Sequence, residues 1–509
     1  DVLTFQRALT ANAPQARLSG HPPPARECTR RGVSPRGSSR PVSAVVADRA
    51  DGMPVGPLML AVVLTAFSSA LLLSPVNVAV PAMMTHFDVG AGASSWVPLS
   101  YLLAVAVSVV PAGRASGRFG RATVLAAALT VAAIGSMLAA AAPEFGLLLA
   151  ARAVQGIGAG MSFAVSSAMI AEAVPPSQRG EKIGVSLTAT YLGLTVGPFV
   201  GGTLIESVGW RAVLAAPVPL ALVALWITVK ALVPRSPPFA PGEPFDFRGA
   251  GLYALGMVLA IWGASSLPSA PATASLVVGI AVLWGFVRHV TRADHPVFDV
   301  RLFITRPLFG RSCVAAVIMY AALFSTMFVM SLYLQNLRGL SAFEAGALLM
   351  AQPVFMATLA RPVGRLSDTY EPRILASAGL AVGTLGLVLM SVSHPEVPLA
   401  LPMAGLALSG LGMALFSSPN HNAIMGSVER RELSAASAAL AVMRIVGMMI
   451  SMVVVALVFS VLEVDTSNGA DGRVLAAGIR WALMAAALLS VVGIWISWTR
   501  GDLHGPAKA

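Results

Sequence analysis

Two short stretches of the chain share one pattern: Gly113-Arg-Ala-Ser-Gly-Arg-Phe-Gly-Arg121 and Gly364-Arg-Leu-Ser-Asp-Thr-Tyr-Glu-Pro-Arg373. Each begins with Gly-Arg, has Ser two positions later, ends on Arg, and lies between two long apolar segments. A short charged stretch that recurs in two halves of a membrane protein is typical of a duplicated transporter. The pair therefore predicts two related halves, and its glycines predict a tight turn in each stretch.

The composition is that of a membrane protein with many spans. Of the 509 residues, 56% are hydrophobic and only 11% are charged, whereas a soluble domain carries about 25% charged residues. The net charge of +11 is nearly all arginine, and the arginines lie between apolar segments. This placement indicates membrane topology, with lipid around the protein, and argues against a nucleic-acid partner.

The sequence predicts neither a cofactor nor a metal site, because no His/Cys cluster has metal-ligand spacing. It carries two cysteines, Cys28 and Cys313, in very different settings, so a disulfide framework is not expected. No nucleophile–base pair or phosphate loop is found, and an enzyme is therefore not expected.

Spanning a bilayer takes about 20 apolar residues, and the chain contains about fourteen such segments. They predict an all-α integral membrane protein. The segments lie near 57–82, 94–112, 121–141, 145–172, 183–205, 212–233, 249–267, 271–290, 310–336, 343–362, 374–393, 397–418, 434–461 and 475–498.

The segments group into two six-helix bundles with an inserted pair between them. We expect bundles at 57–233 and 307–498, and proline-rich linkers with the inserted pair (249–290) at 234–306. A leader at 1–56 is rich in Pro and Arg and is expected to be disordered. A short tail follows at 499–509.

The arginines also predict the orientation. The loops on one side hold sixteen Arg or Lys residues and those on the other side about four, so the richer side should be cytoplasmic. With an even number of spans, both termini then face the cytoplasm, and the protein is expected in the plasma membrane.

Three further motifs occupy particular spans. They read Arg152-Ala-Val-Gln155-Gly156-Ile-Gly158-Ala-Gly160, Gly193-Leu-Thr-Val-Gly197-Pro198-Phe-Val-Gly201-Gly202 and Leu332-Tyr333-Leu334-Gln335. Together with the paired stretches they resemble the major facilitator superfamily, specifically its fourteen-helix drug-exporter branch, over nearly all of Pro57 to Trp498. The resemblance implies a monomeric secondary transporter that exports hydrophobic or amphipathic small molecules by alternating access. It also implies protons as the coupling ion.

Two other functions remain open. One is uptake or exchange of an anionic metabolite, and the other is a transport-inactive membrane sensor.

The paired stretches have two interpretations. Their arginines can reach the C-termini of neighbouring helices, where cations are favoured, and so latch one bundle against another. Alternatively, they only anchor the basic side of the membrane. The residues concerned are Gly113, Arg114, Gly117, Arg118, Gly120 and Arg121 in the first stretch, and Gly364, Arg365, Asp368 and Arg373 in the second.

Arg152 and Gln155 are three residues apart and share one helix face. Arg152 lies inside the predicted span 145–172, and an arginine within a span should face the bundle interior or a wet cavity. It can bind substrate, or it can anchor helices through their carbonyl groups. The neighbouring Gly156 and Gly160 favour close helix packing.

The stretch Gly193, Gly197, Pro198, Gly201 and Gly202 places small residues four apart, with proline inside the helix. It predicts a close-packed, bendable helix at the interface between the halves. In the family that it resembles, this motif is typical of antiporter-type exporters.

Arg444, near Gly447, is a second candidate for a cavity arginine, with packing as the alternative. Polar side chains in other spans could line the same cavity or bond to another helix instead. They are Asn77, Tyr320, Tyr333 and Gln352.

The chain departs from the family pattern in its acids. Leu72 stands where the proton-coupled exporters carry an aspartate in the first span, and Gly117 stands where the first stretch normally has an acid. No Asp or Glu lies convincingly at mid-membrane depth. Arg152 and Arg444 therefore suggest a substrate that supplies the counter-charge, and replacing either arginine with Gln should impair transport of acidic compounds more than neutral ones.

Overall fold

The computed structural model describes residues 54–175, 178–236, 246–292, 301–367, 369–394, 396–429, 433–464 and 472–501. These residues form helices and their connections, without a strand among them. Thirteen helices are long and apolar enough to cross a membrane, and a bent pair brings the number to as many as 14. The predicted all-α membrane fold is thus confirmed. Residues 1–53 of the predicted leader and 502–509 of the tail lie outside the described residues.

The first half starts with a broken span where the sequence predicted a single one. Two helices meet there at 42°, separated by the turn 72–75, because Pro75 has no N–H to donate. Such a break leaves carbonyl groups without their intrahelical partners. The helices of this half are α1 (Val55–Leu71), α2 (Val76–Phe87), α3 (Ala91–Ser94), α4 (Trp96–Phe119), α5 (Arg121–Ala141), α6 (Phe145–Ala173), α7 (Arg179–Ser207), α8 (Trp210–Ala215) and α9 (Val218–Ile227).

The inserted pair and the second half follow. The pair consists of α10 (Phe247–Ser265) and α11 (Ala270–Val290). The helices of the second half are α12 (Arg301–Thr305), α13 (Pro307–Leu323), α14 (Thr326–Leu332), α15 (Ala342–Leu349), α16 (Ala351–Leu366), α17 (Pro372–Ser391), α18 (Ala400–Gly426), α19 (Leu433–Val461) and α20 (Gly472–Thr499).

The first basic stretch is mostly helical, so the turn predicted over that whole stretch is wrong, whereas in the second stretch the described residues between α16 and α17 form a turn. Helix α4 continues through Gly113 and Gly117, and the chain turns only at Gly120, whose φ is 88°. A glycine inside a helix costs only about 1 kcal/mol, which packing against neighbouring helices outweighs. In the second stretch α16 extends to Leu366, and Asp368 lies outside the described residues.

We call the end of the molecule that bears these two stretches the basic end, and the opposite one the far end. The halves touch at the far end. Gln335 Nε2 donates to the Val78 carbonyl at 3.0 Å, and the Phe343 N–H donates to Glu206 Oε1 at 2.9 Å. A third bond, from Thr195 to the Pro353 carbonyl at 3.4 Å, lies at middle depth. None of these three contacts is at the basic end.

The inserted pair contacts both halves. Helix α10 packs against α4 of the first half and α19 of the second. At the far end, the Ser460 hydroxyl donates to the Leu267 carbonyl at 3.1 Å. At the basic end, Asp246 Oδ1 lies 2.7 Å from the Gly249 nitrogen and 2.9 Å from His289 Nε2. The inserted pair is therefore held against both halves, and Asp246 joins the start of α10 to the end of α11.

The contacts of the Asp246 carboxylate with Gly249 and His289 make the stability of the protein depend on pH. Burial opposes ionisation, but the Gly249 N–H, His289 and the charge of Arg114 outweigh it and lower the pKa of the carboxyl. Because the pKa of this carboxyl is lower in the folded protein than in the unfolded chain, its ionised form stabilises the fold. This stability is fully present above the pKa of the unfolded chain and is lost as pH falls through the pKa of the folded protein.

Replacing Asp246 with alanine should therefore lower the stability at pH 7 by about 1 kcal/mol, the usual value of a cap. Asp246→Asn, which keeps a capping oxygen, should cost less. Thermal unfolding in detergent at several pH values checks this. The gap between wild type and Asp246→Ala should close only below about pH 4, the ordinary carboxyl range; a gap that persists in stronger acid contradicts this account.

Candidate functional site

Arg152 lies in the closed interior of the first half, with none of its surface exposed. Its Nη1 donates to the Leu72 carbonyl at 3.0 Å and to Gln155 Oε1 at 2.7 Å, and its Nε donates to the Val97 carbonyl at 3.2 Å. Its guanidinium carbon is 4.6 Å from the centre of the Tyr101 ring. One side chain thereby joins the break between α1 and α2 to helices α4 and α6.

The glycines of α6 make this arrangement possible. A Cβ on Gly156 would collide with the Tyr101 carbonyl, and one on Gly158 would lie 2.5 Å from the Ala132 nitrogen. Small residues at such positions let helix backbones approach closely. The close approach of α4 brings the Tyr101 ring to Arg152.

Arg152 has no carboxylate partner in the part of the chain that the structure describes. The backbone carbonyl of Leu72 takes that place, at the position where the resemblance expected an aspartate. Gln155 completes the cluster by donating from Nε2 to Ser136 Oγ at 2.9 Å. Nη2 of Arg152 is buried and makes no hydrogen bond within the described residues.

Arg444 lies in a different setting. It is half-buried, and its guanidinium carbon is 5.0 Å from the centre of the Tyr320 ring. One turn further along α19, a Cβ on Gly447 would lie 2.5 Å from the Val317 carbonyl and 2.8 Å from Tyr320 Cβ. Close contact between α13 and α19 therefore holds Arg444 over the tyrosine.

Two further residues lie within electrostatic range of Arg444. They are Tyr191 of the first half and His421 of α18. Tyr191 is half-buried and His421 is exposed. We call Tyr191, Tyr320, His421 and Arg444 the Arg444 cluster; of these residues, the sequence predicts only Tyr320 and Arg444 as cavity residues. Tyr191 carries no local sequence signal, and His421 lies near the end of its span, where a polar side chain needs no special explanation.

Three members of the cluster lie at one depth. Helices α7, α13 and α19 start at residues 179, 307 and 433, so Tyr191, Tyr320 and Arg444 lie 12, 13 and 11 residues beyond those starts. At about 1.5 Å per residue, this places them roughly 16–20 Å from the basic end. His421, five residues before the end of α18, lies closer to that end.

The other predicted cavity residues make local contacts. Asn77 donates to the carbonyls of Leu73 and Ser74 at 3.5 Å, inside the break of the first span. The Tyr333 hydroxyl donates to the His394 carbonyl at 3.1 Å. Gln352 is buried, and its Nε2 lies 4.0 Å from Met413 Sδ.

The glycine-rich face of α7 packs mainly within the first half. Cβ atoms on Gly193, Gly197 and Gly201 would lie 2.7–2.9 Å from Ala70, Ser74 and Pro75 respectively. The interface between the halves involves the neighbouring positions. A Cβ on Gly202 would collide with the Ala342 carbonyl, and one on Gly346 would collide with the Pro198 carbonyl.

In the first basic stretch, Arg121 binds the end of α6. Its Nη1 donates to the Ala168 carbonyl at 3.1 Å and to Glu172 Oε2 at 2.7 Å. Arg118 lies over Phe119, with 5.6 Å from the guanidinium carbon to the ring centre. Arg121 thus contacts a helix C-terminus, the kind of contact that the sequence suggested.

The second basic stretch contacts α18 and α20. A Cβ on Gly364 would lie 3.2 Å from Ser418 Oγ, and Arg373 lies 5.8 Å from the centre of the Trp498 ring. Arg365 is exposed. In both stretches, the contacts described here remain within one half.

The chain resembles known transporters in sequence. It is 30% identical over 337 residues to the uncharacterised MFS-type transporter YhcA of Bacillus subtilis (strain 168), which covers 64% of this chain and 62% of the relative. It is also 30% identical over 365 residues to the multidrug resistance protein B homolog of Mycobacterium tuberculosis (strain ATCC 25618 / H37Rv), covering 70% of this chain and 66% of the relative. The matched region thus spans somewhat less than two thirds of these relatives' own length.

The fold resembles solved transporter structures as well. A crystal structure of the peptide transporter POT in complex with sulfate covers 90% of this chain and 98% of its own, with a TM-score of 0.65 and 14% identity. At that identity the likeness concerns the fold alone. The family model described as Major Facilitator Superfamily matches residues 58–351 and 312–508, and the chain therefore belongs to the Major Facilitator Superfamily.

Proposed function

We propose that this protein is a monomeric secondary transporter that exports hydrophobic or amphipathic small molecules across the plasma membrane by alternating access. One observation carries the proposal: the Arg444 cluster is built from both halves and is partly accessible, and it lies between halves that touch at the far end. Transporters of this architecture bind substrate near the bilayer midplane at the interface of their repeats. The name of the Mycobacterium tuberculosis relative supports export of drug-like compounds.

The conformation fits the substrate-loading step of an exporter. The basic end is cytoplasmic by the distribution of arginines, and both termini are then cytoplasmic. The interface is closed at the far end by the Gln335 and Phe343 hydrogen bonds, and His421 is exposed on the basic side of the cluster. We infer an inward-facing state that takes up its substrate from the cytoplasm or the inner leaflet.

Drug susceptibility of an efflux-deficient bacterial host tests the proposal. Expression of the wild-type chain should raise the tolerated concentration of several amphipathic compounds, and Arg480→Gln, an exposed arginine outside the cluster, should do the same. Arg152→Ala should remove the effect. Membrane levels of each variant are measured in parallel. Unchanged susceptibility to all compounds, at normal membrane levels, contradicts export.

Uptake or exchange of an anionic metabolite is the second candidate, and the positive charge of Arg444 favours it. Proteoliposomes loaded with compound distinguish the directions, because export and uptake respond oppositely to the side on which substrate is added. A protein that moves no substrate in either direction would instead be a transport-inactive sensor.

Proton antiport is the coupling that family membership suggests, and the first span lacks the acid for it. Introducing that acid by Leu72→Asp should give a folded variant whose transport responds to a pH gradient. The Leu72 carbonyl lies 3.0 Å from Arg152 Nη1, so a carboxylate at this residue comes close to a buried cation. A nearby opposite charge favours ionisation of a buried acid.

Leu71→Asp is the matched control for Leu72→Asp. Both leucines are buried, with 6% and 3% of their surface exposed, but successive helical residues point about 100° apart. An acid at position 71 should therefore meet no cation and destabilise the protein by several kcal/mol. Flux into proteoliposomes is measured with and without an imposed pH gradient. Equal fluxes for Leu72→Asp would refute this account of the missing acid.

A further inference from the structure

We propose that the Arg444 cluster is a recognition site for aromatic compounds that carry one carboxylate group. The assignment deepens the proposed transport function and rests on it. It names the acidic class of amphipathic substrate and the residues that bind each part of it.

The first argument is charge. Every Asp and Glu in the described part of the chain lies within three residues of a helix end or in a connection. Arg444, by contrast, is deep in the membrane and forms no ion pair among the described residues. A cation at this depth is costly and is normally paired or faces a wet cavity. A carboxylate on the ligand can supply the missing counter-charge.

The second argument is accessibility. Arg152 is also without a carboxylate, but it has no exposed surface and its donors hold the Leu72, Val97 and Gln155 oxygens. A ligand cannot reach it in this conformation. Arg444 is half-buried and His421 is exposed, so an anion entering from the basic end meets His421 and then Arg444.

The third argument is the contact between Arg444 and Tyr320. The Arg444 guanidinium carbon lies over the Tyr320 ring, 5.0 Å from the ring centre. A guanidinium whose carbon lies over an aromatic ring can still present N–H donors to a carboxylate in bidentate fashion. Tyr320 is itself fixed by the close approach of Gly447. The donors are thus held ready for an anion.

The fourth argument concerns the ring of the ligand. Tyr191 belongs to the first half, whereas Tyr320, His421 and Arg444 belong to the second. Tyr320 is buried, whereas Tyr191 is half-buried. A ligand whose carboxylate binds Arg444 can therefore place an aromatic ring against Tyr191, in the stacked or edge-on contact that aromatic rings prefer. Such a ligand touches both halves at once and can therefore favour one conformation over the other.

Binding of 2-naphthoate and its neutral amide, 2-naphthamide, to the full chain in nanodiscs tests the assignment by calorimetry. We expect the wild type to bind the acid at least tenfold more tightly than the amide. Arg444→Gln should lose at least tenfold in affinity for the acid and little for the amide. Arg444→Lys, which keeps the charge without the planar fork, should fall between them, and Arg480→Gln should match the wild type.

Several outcomes overturn the assignment. They are equal affinity of the wild type for acid and amide, no binding of the acid at millimolar concentration, and an unchanged preference in Arg444→Gln. The unfolding temperature of each variant shows that it is folded. Because binding is measured without flux, a retained preference for the acid in a protein that fails every transport assay would refute the proposed export and leave the site intact.

Discussion

Replacing Arg152 with alanine is expected to abolish transport of every substrate and to lower the stability of the first half by at least about 3 kcal/mol, because three buried oxygen acceptors lose their donor. The side chain satisfies the carbonyls of Leu72 and Val97 and the amide oxygen of Gln155. Each buried polar group left without a partner costs about 1–3 kcal/mol. The break between α1 and α2 would also lose its tie to α6.

The measurements are the unfolding temperature in detergent and flux in proteoliposomes. Arg152→Lys is a second variant, which keeps the charge but has one ammonium group in place of the separate Nε and Nη1 donors. It should recover little of the lost stability. Arg480→Gln, which removes an exposed positive charge, should behave as wild type. A stable Arg152→Ala protein with normal flux would show that this cluster neither fixes the break nor serves transport.

Arg152 and Arg444, which the sequence treats alike, differ in how far they are buried. The sequence predicts that Gln at either position impairs acidic substrates more than neutral ones. In the structure Arg152 has no exposed surface, so we now expect Arg152→Gln to impair both kinds equally. The charge-selective effect is expected only for Arg444.

The sequence was sufficient for the architecture because membrane spans have a strong compositional signal. Apolar runs and arginine placement predict fourteen spans and two halves, and the structure confirms the spans. Local bends are harder to predict, because their cost depends on neighbouring helices. Pro75 breaks the first span, whereas Pro198 lies within a continuous helix.

The candidate site could be predicted only in part. Motif spacing identified Arg152 and Gln155 as neighbours, and the structure shows their hydrogen bond at 2.7 Å. Spacing along one helix cannot show which residues of other helices come near. Tyr191 lies within electrostatic range of Arg444 although the two residues belong to different halves, and the packing of α7 with the second half brings it there.

Alanine at Gly346 or Gly202 is expected to open the far end and slow transport more than tenfold. A Cβ at either position would collide with a backbone carbonyl of the other half, Pro198 for Gly346 and Ala342 for Gly202. Backbone cannot yield as a flexible side chain can, so the halves must separate. Overpacking of this kind costs about 1–3 kcal/mol, and a bias of that size shifts a two-state equilibrium about 5- to 150-fold.

Labelling of an introduced cysteine measures the opening. Gln335→Cys, in a background without Cys28 and Cys313, places a thiol where the far-end hydrogen bond to Val78 lies. Gly346→Ala and Gly202→Ala should increase its rate of reaction with a membrane-impermeant maleimide at least fivefold over the same cysteine alone.

Alanine substitutions at two other glycines of α7 distinguish opening of the far end from a general loss of stability. Gly184 has no atom within 4 Å of an added Cβ, so Gly184→Ala should change neither labelling nor flux. The atoms nearest to an added Cβ on Gly197 belong to Ser74 and Pro75 of its own half, so Gly197→Ala should lower stability without faster labelling. If Gly197→Ala labels as fast as Gly346→Ala, loosening of the first half explains the opening, and the Gly202 and Gly346 contacts do not hold the far end closed.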